Sequence, residues 1–461
     1  MKILKLILKN KFFGFILGIF ISLFFIKLFI YKKKNNLKII VFSEHRWRDS
    51  LKIINKDKNI CLIKIPDFIY NRINSLFFTN PVNKIKREKN YKKIKFDNLG
   101  FWGKSADQYY YLKKDDDALK ERERKFIYIK NIAKTIKYLT NIDCALTCAV
   151  HYNQEQEWAS GFNKGGIPFI CLHKEQSLIE KNHINFRVKH LKRIKQIFQG
   201  TAVVAPNKIV KDLFIKSGLK DKKNIYSSGM LKFQGIKKQT VKNKKFFTLF
   251  SFGHYTGNIV PKKRSSHYFS KNYNEGFSKL FFNTHKVFIK SALKNKNIIF
   301  YIKPKNWEDW WILEIEKIIK EVTGKNSKNI KNLIITKKPS IYLIKNSINV
   351  IGFNSTVLLE ALLLGCKPII PNFNEAKGNQ KKNVYFKDFK KIFHIANSEF
   401  DLAKKINISI KKIKDSSFNY FFGPYKIFEH YFDSNPKKIK EKTLNIINKI
   451  IFNYNKNQRK I

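Results

Sequence analysis

Residues 348–373 read INVIGFNSTVLLEALLLGCKPIIPNF. The apolar run INVIGF stops at Phe353, and Asn354, Ser355 and Thr356 then open a helix-like stretch over 355–365. Gly365 closes that stretch and Pro368 sets the next apolar run, KPIIPNF, at 367–373. Strand, polar turn, helix and strand in so few residues predict a parallel βαβ unit. A helix start offers unpaired N–H groups and the positive end of a dipole, which suits a phosphate. The hydroxyls of Ser355 and Thr356 add donors, and Glu360 lies about one turn deeper, where a carboxylate can accept from ribose hydroxyls. The plainer reading is an ordinary N-cap by Asn354 or Ser355 in a packed unit. These residues alone do not separate the two.

The same alternation runs outward in both directions. Ahead of the quoted segment lie strand-like FFTLFSFGH (246–254), a helix over 276–295, NIIFYIKPK (297–305), a helix over 307–322 and KNLIIT (331–336). Earlier still come LKIIVFSEH (37–45), NICLIKIPD (59–67), NIDCALTCAV (141–150), GGIPFICLHKE (165–175), a strand and helix over 201–219 stopping at Gly218, and NIYSSGML (224–231). The polar, basic run IKKQTVKNKK at 236–245 marks a boundary between the two series. The pattern predicts an α/β protein with two Rossmann-like domains built on parallel sheets, 37–235 and 236–400, followed by a helical extension over 401–461. In such folds ligands bind past the carboxyl ends of the strands, where the strand order reverses.

Residues 12–31, FFGFILGIFISLFFIKLFIY, are apolar except for Ser22 and Lys27, and twenty residues at helical rise just span a bilayer core. No small-residue cleavage pattern follows. Residues 1–36 are therefore expected to be a retained anchor, with an interfacial or buried helix as the plainer reading. Lysines on both flanks nearly balance and set no orientation; the expectation is an inner-membrane protein with its catalytic domains on the cytoplasmic side. The 461 residues carry 93 Lys and Arg against 34 Asp and Glu, a formal charge of +59. Such a surface draws anions, including an anionic membrane surface. The lysines are scattered along a chain rich in Asn, Ile, Phe and Tyr, which fits codon bias better than a dedicated nucleic-acid site. The five cysteines are odd in number and at non-metal spacing, as expected of buried free thiols.

The run GFNSTVLLEALLLGCKPIIPNF resembles the donor-side motif of GT-B glycosyltransferases of bacterial surface-polysaccharide assembly, with related motifs in CDP-glycerol glycerophosphotransferases and non-hydrolysing UDP-sugar 2-epimerases. Residues 203–230, 246–257 and 300–305 resemble further segments of those enzymes in the same order. The resemblance covers most of 140–376. It implies two Rossmann-like domains facing a cleft and a donor site in the second. Gly253, His254, Thr256 and Gly257 would form the loop near the diphosphate. Lys303 would neutralise phosphate charge in place of a metal. Asn354, Ser355 and Thr356 would hold phosphate, and Glu360 the ribose. The Lys-Pro-His of relatives reads Lys303, Pro304, Lys305 here, so any role of that histidine is missing.

The first domain is then expected to supply the acceptor site and the base. His173 and Glu175 directly follow one strand, and Glu44 and His45 another. An imidazole or carboxylate there can take a proton from an acceptor hydroxyl, although each also fits a solvent-facing loop or a cap. Asp115–Asp117 has D-x-D spacing, but no apolar strand precedes it, and an acidic helix start fits better. No GxGxxG, Walker, HExxH or GxSxG signature occurs, which argues against dehydrogenase, P-loop and simple hydrolase chemistry. The leading expectation is a metal-independent, cofactor-free transferase taking a nucleotide-sugar as co-substrate and a glycan or lipid-linked acceptor. A glycerophosphotransferase or 2-epimerase on the same scaffold is the alternative within enzymes. A non-catalytic polyanion-binding protein is the alternative outside them.

Overall fold

A computed structural model describes residues 10–30, 37–77, 116–152, 155–174, 184–193, 196–236, 246–257, 276–305, 309–387, 389–414 and 426–459. The chain separates into two compact units. One takes in the described residues up to Gly235 together with Phe428–Ile461, and the other lies within Ile236–Ile427.

In the first unit the elements run α1 (Lys11–Ile30), β1 (Leu37–Val41), α2 (Arg48–Ile54), β2 (Ile60–Lys64), α3 (Asp67–Leu76), α4 (Asp116–Thr140), β3 (Cys144–Thr147), α5 (Gln156–Lys164), β4 (Phe169–Leu172), α6 (Ile184–Arg193), β5 (Ala202–Ala205), α7 (Lys208–Ser217), β6 (Ile225–Ser227) and α8 (Leu231–Gln234). In the second they run β7 (Phe246–Phe250), α9 (Ser278–Lys294), β8 (Ile299–Lys303), α10 (Asp309–Thr323), β9 (Leu333–Ile335), α11 (Ser340–Asn346), β10 (Ser347–Ile351), α12 (Val357–Leu363), β11 (Ile369–Pro371), β12 (His394–Ala396) and α13 (Glu399–Lys414). α14 (Lys426–Phe432) and α15 (Ile439–Gln458) end the chain.

Among the described residues each unit holds one six-stranded sheet, ordered β2-β1-β3-β4-β5-β6 and β12-β11-β10-β7-β8-β9, and every pairing is parallel. Helices cover parallel sheets on both faces, so the central strands read as unbroken apolar runs. β3, β4, β5, β7 and β10 are buried at every position. The order reverses between β1 and β3 in the first sheet and between β7 and β10 in the second. These are the points where a doubly wound sheet leaves a crevice past its strand ends. Local signals set the joints. Asn207 caps α7 by accepting from Val210 N at 2.7 Å, and Gly218, at φ 73°, ends it. All five cysteines are buried and none is in a disulfide.

Two expectations change. The segment 401–461 is not one extension: α13 belongs to the second unit, and the chain from Phe428 onward packs on the first. There Ser434 Oγ donates to Ser228 O at 3.0 Å and Lys440 pairs with Asp57 at 2.8 Å. The expected membrane-spanning anchor, and with it the integral inner-membrane placement, is corrected. Among the described residues no helix is long and apolar enough to cross a membrane. α1 instead lays one face along α4. A Cβ on Gly14 would stand 2.7 Å from Tyr128 O and one on Gly18 2.7 Å from Thr135 Cβ, so glycine permits this close approach. Ile21 and Phe25 are fully buried, while Phe12, Phe20 and Leu23 on the other side are more than half exposed. The apolar run that predicts a span thus supplies core to the first unit.

Candidate functional sites at the two strand-order reversals

In the second unit β7 ends at Phe250 and leads into Ser251–Gly257, while β10 ends at Ile351 and leads into Gly352–Thr356. Asn354 joins these loops. Its Nδ2 donates to Thr256 O at 2.9 Å and to Asn383 O at 2.8 Å, and its Oδ1 accepts from Tyr385 N at 2.8 Å. Its φ is 47°, in the left-handed region that asparagine tolerates better than most residues. Gly257 lies directly beneath, where a Cβ would be 2.4 Å from Asn354 Nδ2. Gly253 N donates to Thr256 Oγ1 at 3.0 Å, closing the first loop on itself.

His254 is turned inward. It is buried and hydrogen-bonds Ser278 Oγ through Nδ1 at 2.9 Å. Burial, with His285 nearby, lowers its pKa to about 3, so the ring is neutral. His285 is buried too, its pKa lowered to about 4 by burial. His285 Nδ1 donates to Phe281 O at 2.7 Å. Its Nε2 therefore accepts from Ser251 Oγ at 3.0 Å, and the Ser251 oxygen in turn accepts from Trp311 Nε1 at 3.0 Å. Lys303 closes β8 in register with Phe250, and its carbonyl accepts from Ser251 N at 2.9 Å. Burial lowers the pKa of its half-buried ammonium.

α12 begins at Val357, later than the turn at Asn354 suggests, with Thr356 at its cap position and Ser355 Oγ accepting from Val357 N at 3.3 Å. Ser355, Thr356 and Glu360 are all partly exposed. The structure thus brings Gly253, Thr256 and Asn354 into one bonded group and sets Lys303 on the adjacent strand. It places His254 in the core behind them. A carboxylate outside the sequence reading, Glu375, is buried below this edge and accepts from Lys279 N at 2.7 Å and Leu280 N at 2.8 Å at the start of α9. Its role there is an acidic cap.

In the first unit the turn after β1 holds Ser43 at φ 49° and then Glu44, His45 and Arg46. A cavity of about 430 Å³ opens beside it, lined by these residues with Lys64 and Tyr70 among others. Glu44 pairs with Lys64 at 3.2 Å and Arg48 at 3.7 Å. Arg46 lies over the Tyr152 ring, 4.5 Å from its centre. His173, after β4, is buried. Its Nδ1 accepts from Val150 N at 3.4 Å, and its ring packs edge-on against His151 and Phe214 at 5.3 and 5.0 Å. Lys174 Nζ donates to Arg46 O. Glu175 lies outside the described residues. Glu44 and His45 therefore line the cavity, whereas His173 packs into the core next to the same edge.

The first unit also holds a residue that sequence reasoning missed. Glu155, buried at the start of α5, accepts from Ser43 Oγ and Thr147 Oγ1. Burial raises its pKa to about 7 against the opposing pull of those hydroxyls, Arg46 and Lys125. Two residues on, Glu157 pairs with Arg122 at 2.9 Å and with fully buried Lys125 at 3.2 Å. The signal was present in the sequence: QEQEW at 154–158 sets two glutamates between an apolar strand and an apolar helix face in a lysine-dominated chain.

The chain is thus an α/β protein of two doubly wound, Rossmann-like units, each with its polar cluster at a strand-order reversal. No family model matches it, and no curated protein matches it in sequence. Solved structures similar to it include UDP-GlcNAc 2-epimerase from Neisseria meningitidis bound to UDP-GlcNAc, 10% identical with TM-score 0.43 over 89% of this chain and 99% of that one. A putative UDP-N-acetylglucosamine 2-epimerase from Listeria monocytogenes is 10% identical with TM-score 0.46 over 90% of this chain and 96% of that one. HepE from Anabaena in complex with UDP and glucose is 10% identical with TM-score 0.45 over 90% of this chain and the whole of that one. At such identities and scores the likeness assigns neither residues nor ligand to this chain.

Proposed function

We propose that the protein is a metal-independent transferase that moves a sugar from a nucleotide-sugar to a glycan acceptor in the GT-B manner, the second unit taking the donor and the first the acceptor. One observation carries the reading: at the reversal between β7 and β10, Asn354 ties the Gly253–Gly257 loop to the Asn354–Thr356 turn, with Lys303 on the adjoining strand. This is backbone-rich, partly exposed and cationic, the chemistry a diphosphate needs. As the sugar leaves, charge grows on the nucleoside diphosphate. A lysine and oriented amides stabilise that charge without a metal. Ser355 and Thr356 would add hydroxyl donors, and Glu360, partly exposed on α12, would accept from the ribose. The acceptor would enter the cavity beside Glu44 and His45, either of which can take its proton.

The test is a thermal-shift screen of UDP-, CDP-, GDP- and ADP-sugars on the full chain, because a ligand that binds the native state raises its apparent stability. One donor should raise the melting temperature. Lys303→Ala should weaken that donor about tenfold or more, the worth of one charge-assisted contact. No shift with any nucleotide-sugar, or full donor affinity in Lys303→Ala, would remove this reading. Product analysis separates the enzymes of this scaffold, since a 2-epimerase turns over with no acceptor and a glycerophosphotransferase releases CMP from CDP-glycerol.

A further inference from the structure

Glu155 differs from the other carboxylates of the chain by its place. β1 and β3 are the strands between which the first sheet reverses. Ser43 follows β1, Thr147 ends β3, and Glu155 leads into α5. One oxygen of Glu155 accepts from the Ser43 hydroxyl and the other from the Thr147 hydroxyl. A single buried side chain thereby joins two strand ends and a helix start. Ser43 sits at φ 49°, a backbone region that costs a non-glycine residue free energy and persists where neighbours hold it. The three residues after it line the cavity of about 430 Å³.

We propose that Glu155 is the positioning residue of the first unit's ligand cavity: by accepting the Ser43 and Thr147 hydroxyls it sets the turn that presents Glu44, His45 and Arg46, and its protonation state alters that turn. As a carboxylate it accepts on both oxygens. As a carboxylic acid it has one proton to donate, so one hydroxyl must reverse its direction or leave. The charged and titratable groups facing it are Arg46 from the turn, Lys125 from α4 and Cys171 from β4. Glu157 on α5 is paired with Lys125 and Arg122. Burial raises the carboxyl to about 7, which puts the change in the neutral range. What the cavity binds rests on the acceptor reading above, whereas the control of the turn does not.

Hydrogen exchange of segment 42–50 in the full chain tests this, with segment 347–357 of the second unit as internal reference. After correction for intrinsic exchange, the wild type should show a several-fold change in protection of 42–50 centred near neutral pH. Glu155→Gln offers one acceptor and one donor, as the acid does, and should hold 42–50 at the wild type's low-pH protection at every pH. Glu155→Ala and Ser43→Ala should raise exchange of 42–50 about tenfold and leave 347–357 unchanged. Should Glu155→Ala not fold, Ser43→Ala decides alone, because Ser43 is only partly buried. Unchanged protection of 42–50 in Ser43→Ala, or a wild-type profile identical to that of Glu155→Gln, overturns the proposal. Once a donor and acceptor are in hand, Glu155→Gln should flatten the pH profile and raise KM for the acceptor more than it lowers kcat. A wild type that binds no nucleotide-sugar would end the acceptor reading and leave the exchange result standing.

Discussion

The two strand-order reversals of this chain are built in opposite ways. In the second unit the buried polar side chains are mostly neutral: Asn354 ties two other loop segments to its own through their backbone, His254 and His285 are uncharged rings bonded to Ser278, Ser251 and Phe281, and the buried carboxylate Glu375 is spent on capping α9. The charge there comes from half-buried Lys303. In the first unit buried carboxylates meet hydroxyls and cations: Glu155 accepts from two hydroxyls, and Glu157 pairs with Arg122 and Lys125. A rigid, backbone-lined edge suits recognition of a fixed anion. An edge of coupled carboxylates and bases suits proton handling. The same fold therefore gives two surfaces of different chemistry, and the proposed donor and acceptor sides each draw on one of them.

The largest expected effect comes from breaking the charged cluster. Glu157→Ala would remove the carboxylate that pairs with Lys125, which is fully buried. Removing the counter-charge of a buried ion costs about 3–5 kcal/mol. Urea denaturation should show that loss, and Lys125→Met on the Glu157→Ala background should recover much of it. A loss below about 1 kcal/mol, typical of exposed pairs, would mean that water reaches Lys125 and that the first unit is less ionic inside than described.

Acidification should shift the stability of the two units in opposite directions. His254 and His285 have folded pKa values of about 3 and 4, below the ordinary unfolded value of about 6.5. The unfolded chain therefore binds more protons than the folded one between these limits, and stability is lost as pH falls from 6.5. By pH 5 the loss is about 2 kcal/mol per histidine. Glu155 has the opposite sign. Its folded pKa of about 7 lies above the unfolded glutamate value, so its burial grows less costly as pH falls from 7 toward 4.3. Hydrogen exchange between pH 7 and 5 should show 246–257 losing protection while 144–164 holds or gains. Parallel loss in both would erase the electrostatic contrast.

How much of this was legible in the sequence follows from the same contrast. Strand runs such as FICL and AVVA are apolar at every position because both faces are covered, so the architecture shows in one dimension. The candidate turn at Asn354 shows as well, because a polar run directly after such a strand is a local signal. Its chemistry does not. Whether Asn354 faces solvent or knits three loops depends on Asn383 and Tyr385, about thirty residues on. His254 reads as a loop histidine next to a glycine, and only the packing of α9 over it makes it a core ring. Glu155 escaped because its partners, Ser43 and Thr147, lie at the ends of two different strands, far from it in sequence or hidden in the fold. The helix 11–30 misled for another reason: composition cannot tell lipid from α4 as the surroundings of a glycine-spaced apolar face.

Asn354 gives the finest test of the second unit. Its side chain makes three hydrogen bonds to backbone, and its backbone is left-handed. Alanine there would lose all three bonds and strain the turn. Glycine would lose the bonds and relax the backbone. At about 1 kcal/mol per bond, less the water that re-enters this partly exposed edge, Asn354→Ala should cost about 2–3 kcal/mol. Asn354→Gly should recover up to about 1 kcal/mol of it, the left-handed penalty of a side chain. Aspartate discriminates further. It keeps the acceptor for Tyr385 N but turns a carboxylate oxygen toward the carbonyls of Thr256 and Asn383, so it should destabilise at least as much as alanine at neutral pH and less as it is protonated. Donor affinity should fall in all three variants, because the Gly253–Gly257 loop loses its tie to the turn. If Asn354→Gly matched the wild type in both stability and donor binding, the three bonds would be incidental, and the neutral, backbone-directed design attributed to the second unit would fail at its central residue.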